Sequence, residues 1–116
     1  MTGAFCETYG MTIQNRILEY LLENQDLDFA AGDAAKELGI SRPKTYQVME
    51  LFLKKGFVKK TRLVGKTQLY TLNKENRRVK LFMKDFLECL KIIVEEHKEK
   101  HSTGNPAVGA VSAKGN

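Results

Sequence analysis

The chain contains no apolar run of about 18 residues, the length a helix needs to cross a bilayer, and so offers no membrane span. Its first residues lack the basic-then-apolar layout of a secretory signal. Cys6 and Cys89 have no close-spaced partners, which argues against a zinc-ligand set or a redox pair and leaves two free thiols in a reducing cytoplasm. No nucleophile–base set and no paired-carboxylate site emerges, and Glu95-Glu96 reads as a solvated helix face. The expectation is a cytoplasmic protein that is not an enzyme and uses no cofactor. With 116 residues there is room for one compact domain and one extra element, and not for two cores.

Acid is also scarce in one place. Residues 1–41 carry two basic and seven acidic side chains, a balance of −5. Residues 42–66 carry eight basic side chains and only Glu50, a balance of +7, within a total of +5. Such a change of sign inside one small domain gives it a surface suited to a polyanion.

Residues 1–11 show no period and read as a loose lead-in. From Thr12, a suitable N-cap, the residues Ile13, Ile17, Leu18, Leu21 and Leu22 recur at helical spacing up to about Asn24. Leu27 to Ala30 suits a very short strand. Gly32 or Asp33 opens a second helix that ends at Gly39. Ser41 caps a third, with Pro43 in its first turn and Thr45, Val48, Met49, Phe52 and Leu53 inward, up to Gly56. The period then changes to two: strands over 57–62 and 67–72 are joined by Leu63-Val64-Gly65-Lys66 as a β-hairpin. Asn73 is a candidate cap for a final helix over about 74–100, roughly 40 Å long at ~1.5 Å per residue. The stretch 102–116, rich in Gly, Ala and Ser, reads as a disordered tail.

Two helices joined by a tight Gly-Ile-Ser turn and followed by a hairpin make a mainly α chain with a small β-hairpin (α+β). The residues Ala34-Ala35-Lys36-Glu37-Leu38-Gly39-Ile40-Ser41-Arg42-Pro43-Lys44-Thr45-Tyr46, then Leu53-Lys54-Lys55-Gly56-Phe57-Val58, Arg62-Leu63-Val64-Gly65-Lys66 and Leu69-Tyr70-Thr71-Leu72 carry a resemblance. In that order they resemble the winged helix-turn-helix superfamily, most nearly the small archaeal and bacterial regulators of the MarR, ArsR and TrmB type. The resemblance covers 12–73 and implies a sequence-reading, usually dimeric DNA-binding domain; 74–101 is then a C-terminal dimerisation helix.

A recognition helix over 42–55 presents its first turns to base edges in the major groove. Arg42, Lys44, Tyr46 and Gln47 are polar there; Arg42 suits guanine and Gln47 adenine in bidentate pairing. Ser41 and the helix N-terminus, with Pro43 in its first turn, suit a phosphate. In the wing, 59–67, Lys59, Lys60, Arg62 and Lys66 suit the backbone or the minor groove. Plainer readings stand beside these, a solvated helix face and a ribbon guarded by lysines. In the last helix Val79, Phe82, Met83, Phe86, Leu90 and Ile93 form a stripe that either folds back on its own domain or pairs with a second copy. His97 and His101 are four apart, but no third metal ligand is placed, and Cys89 reads as a small hydrophobe more readily than as a sensor. The partners implied are double-stranded DNA and a second copy of the chain, without a membrane, at the nucleoid. A repressing homodimeric regulator is the leading expectation. An architectural DNA-coating protein and a protein-binding winged-helix module remain open beside it.

Overall fold

In the computed structural model, residues 3–103 are described, with side chains through Lys98. The elements run α1 (Ala4–Tyr9), α2 (Ile13–Glu23), β1 (Phe29–Ala30), α3 (Ala31–Leu38), α4 (Arg42–Lys55), β2 (Val58–Val64), β3 (Thr67–Leu72) and α5 (Arg77–Thr103). This is the expected α+β winged helix-turn-helix fold. No helix among the described residues is long and apolar enough to cross a membrane.

The capping residues place α2 and α4. Thr12 accepts a hydrogen bond from the Asn15 N–H at 3.0 Å, and Ser41 accepts from the Lys44 N–H at 3.3 Å. The sharp turn between α3 and α4 depends on Gly39, whose φ of 68° is a left-handed conformation that costs glycine nothing. Arg16 of α2 donates to the Leu38 carbonyl and so fastens the end of α3. The sheet is antiparallel with order β1-β3-β2. Phe29 lies opposite Tyr70 and Val58 opposite Leu72, so the short first strand joins the hairpin to the helices. Ile17, Leu21, Leu22, Met49, Leu72 and Val79 are fully buried at the centre.

Several expectations are corrected. The lead-in is a helix: α1 buries Ala4, Phe5 and Cys6. Buried Glu19 accepts from the Cys6 N–H at 3.0 Å, near the positive end of the α1 dipole. The second helix opens at Ala31 directly after β1, with no side-chain cap. β2 runs on to Val64, leaving a two-residue turn at Gly65-Lys66. The last helix starts three residues later than expected, because Asn76 and not Asn73 is its cap, taking the Arg78 and Val79 N–H groups at 2.9 and 3.1 Å. Asn73 instead binds the end of α4, its Nδ2 donating to the Gly56 carbonyl at 2.9 Å. α5 continues through Thr103, past the expected start of the tail; residues 104–116 and the His101 side chain lie outside the described part.

Candidate nucleic-acid interface

The first turns of α4 and the hairpin enclose a cleft of about 630 Å³. Arg42 and Tyr46 line its helix side; Val64, Lys66, Thr67 and Gln68 line its wing side; Gly32 and Asp33 close its end. On α4 the buried residues Thr45, Val48, Met49 and Phe52 share one face, as expected. That arrangement leaves Arg42, Pro43, Lys44, Tyr46 and Gln47 exposed on the other side. Thr45 is held inward by a 3.0 Å hydrogen bond from its Oγ1 to the Ser41 carbonyl. Arg42 lies across the start of α3: a Cβ on Gly32 would come within 2.5 Å of Arg42 Nη2. That close approach has no local sequence signature, since the two residues belong to different helices.

The wing residues divide into three groups. Lys66 faces the cleft with Arg42 and Tyr46. Lys59 lies in a separate hollow with Asp26, Lys74 and Glu75, away from α4, and Lys60 is exposed opposite Tyr70. Arg62 is already engaged. Its Nε and Nη2 donate to Asp28 at 2.9 and 3.3 Å, and the Thr61 hydroxyl donates to the same carboxylate at 2.8 Å. These contacts hold the Asp28 carboxyl below its usual pKa, the Arg62 bond first, and raise that of Arg62. Arg62 thus ties the wing to the segment before β1. A register shift between Lys60 and Leu63 bends β2, and Gln68 Nε2 bridges the shift by donating to the Arg62 carbonyl at 3.1 Å. Asp28, Gly32 and Gln68 were missed because each acts through a residue distant in sequence or across a strand.

The stripe of α5 is divided as well. Val79 and Phe86 are buried in the chain's own core, and Phe82 and Met83 pack against it. Ile93 is half-buried and Leu90 exposed, with Leu87 and Val94 exposed beside it.

A second hollow of about 380 Å³ lies between α1, α2, α4 and α5. Phe5, Tyr9, Phe52, Phe57 and Phe82 line it, together with Lys55, Arg78 and Asp85. The Tyr9 hydroxyl donates to Asp85 at 3.0 Å, a bond that raises the tyrosine pKa, and the Lys55 ammonium sits 5.7 Å from the Phe57 ring centre. Aromatic rings, two cations and one carboxylate thus share its wall.

No family model and no curated protein matches the sequence. Solved structures do match in fold. The adhesin competence repressor AdcR from Streptococcus pyogenes superposes with a TM-score of 0.60 at 12% identity, over 80% of this chain and 69% of its own. MepR, a transcription regulator of the Staphylococcus aureus multidrug efflux pump MepA, gives 0.58 at 20% identity, over 87% and 81%. NadR in complex with 4-hydroxyphenylacetate gives 0.56 at 22% identity, over 84% and 71%. At these identities the likeness establishes the winged helix-turn-helix fold.

Proposed function

We propose that the chain is a homodimeric, sequence-specific transcription regulator that represses by occupying promoter double-stranded DNA. The observation that carries this reading is the cleft that gathers Arg42, Tyr46 and Lys66 on one exposed face of α4 and the wing. Arg42 and Gln47 have the hydrogen-bond patterns that read guanine and adenine. Ser41 and Lys44 serve phosphate at the helix start, while Lys66 and Lys60 add sequence-independent attraction. Arg62 acts as a positioning residue through Asp28. A protein-binding module has no need of this basic surface. The dimer forms through α5, on the face the core leaves uncovered: Leu87, Leu90 and Val94, spaced three and four as in a two-stranded seam. Two recognition helices then meet half-sites about one helical turn apart.

The aromatic hollow gives this regulator a place for a controlling ligand. It lies between the last turn of α4 and α5, so an occupant there bears on both the DNA-reading helix and the dimer helix. A small aromatic carboxylate, with Arg78 and Lys55 as its cations, suits the chamber; the fold relative NadR was solved with such an acid.

Binding to genomic fragments at two salt concentrations, with excess competitor DNA, tests the regulator. Retention of a few discrete fragments supports it; equal loss of all fragments points to an architectural coat.

A further inference from the structure

We propose that the tip of the wing is an apolar wedge: Leu63 and Val64 enter the minor groove, part a base step and bend the duplex. This rests on the DNA-binding reading above and names what the wing does to the DNA. The two side chains stand 65% and 54% exposed in the last two positions of β2, beside the Gly65-Lys66 turn. They lie at the end of β2, which is an edge strand. Along the rest of that strand the exposed positions are Lys59, Lys60, Thr61 and Arg62, the polar protection expected of an edge. Only this end of the strand breaks the pattern, with two large apolar side chains left more than half exposed.

Three observations point to DNA as the occupant. Val64 lines the same cleft as Arg42 and Tyr46, so the tip is continuous with the face that meets the major groove. Lys66, in the two-residue turn itself, gives this end of the hairpin a cation for a flanking phosphate. The guanidinium of Arg62 is drawn back onto Asp28, which leaves Leu63 and Val64 as the foremost side chains of β2. That ion pair and the Gln68 bridge also stiffen the hairpin behind the tip, as a wedge requires. Apolar side chains inserted between base steps kink a duplex, and pyrimidine–purine steps yield most easily. The chain therefore reads a flexible step at a fixed distance from the bases read by α4, with no hydrogen bond to it.

Parallel selections test this, using duplexes with randomised centres, the full wild-type chain and the Leu63→Ser/Val64→Ser variant. Both chains should enrich the same α4-read sequence, and only the wild type should add a pyrimidine–purine step at fixed spacing. On the wild-type-selected duplex, the variant should bind about tenfold more weakly with an unchanged salt slope, and the bend seen by gel mobility should disappear. The conservative Leu63→Met/Val64→Ile variant should keep the step and the bend. If the wild type enriches its α4-read sequence without any such step, or if all three chains bend DNA alike, the wedge is wrong and DNA binding stands. Enrichment of no sequence by the wild type overturns sequence-specific binding and the wedge together. Conversion of a dimer to a monomer by the serine changes would place the tip in a protein contact, and would likewise overturn the proposal.

Discussion

Asp28 holds both Arg62 and the hydroxyl of Thr61, so one carboxylate fixes how the wing leaves the body of the domain. Both partners of the ion pair are solvent-accessible, and exposed pairs contribute little to global stability. Asp28→Asn is therefore expected to move the melting temperature by no more than about 4 °C while weakening DNA binding, as thermal unfolding and anisotropy titration would measure. The pH dependence has a definite sign. Because the folded pKa lies below the ordinary 3.8, the pairing is intact at neutral pH and is lost only as pH falls through the folded value. Cys6 behaves in the opposite sense. Burial, reinforced by Glu19, pushes its thiol from 9.0 to about 11. The folded state then holds the proton longer than the unfolded chain, and stability falls as pH rises from about 9 to about 11. Melting curves across that window should fall more steeply for the wild type than for Cys6→Ala; equal slopes would remove Cys6 from the account.

Among the elements, those with local signals were legible in the sequence. Thr12, Ser41, Gly39 and Gly56 mark helix ends through groups within a few residues of themselves, and the hairpin declares itself by a change of period. α1 was not legible because six residues are too few to show a period; it forms where Phe5 finds the core and Glu19 finds the Cys6 N–H. The start of α5 was misplaced because two asparagines stand three apart, and only the fold shows that Asn73 is engaged by the end of α4. Within the candidate site, the outward face of α4 was legible from the burial pattern. The engagement of Arg62 was not, because Asp28 lies 34 residues away. The capping assignment can be checked by mutation. Asn76→Ala should cost about 1 kcal/mol through loss of the Oδ1 that accepts from two N–H groups, while Phe5→Ala should cost about 3 kcal/mol by emptying a core site. Chemical denaturation measures both, and a neutral Phe5→Ala would mean that α1 is not docked.

For the whole molecule, the division of the α5 stripe alters how dimerisation must be probed. Val79 and Phe86 belong to the chain's own core, so removing α5 would unfold the domain rather than merely separate two copies. Leu87→Lys with Val94→Lys charges only the exposed face and is expected to leave the melting temperature of the monomer nearly unchanged while shifting sedimentation from dimer to monomer. Survival of the dimer would move its interface elsewhere. In the proposed dimer, the basic cleft, the wing and paired α5 helices would form one device, with two α4 helices held at a fixed spacing and each wing set by its Asp28–Arg62 tie. In the proposed complex, α4 reads bases while the wing lysine supplies charge. The most direct measurement is the salt dependence of binding to a selected duplex and to an unrelated one, for the wild type, Arg42→Ala and Lys66→Ala. Arg42→Ala should lose roughly 1–3 kcal/mol on the selected duplex and little on the other. Lys66→Ala should weaken both alike and reduce the salt slope by about one. If neither substitution alters binding to either duplex, α4 and the wing do not form the DNA-binding face.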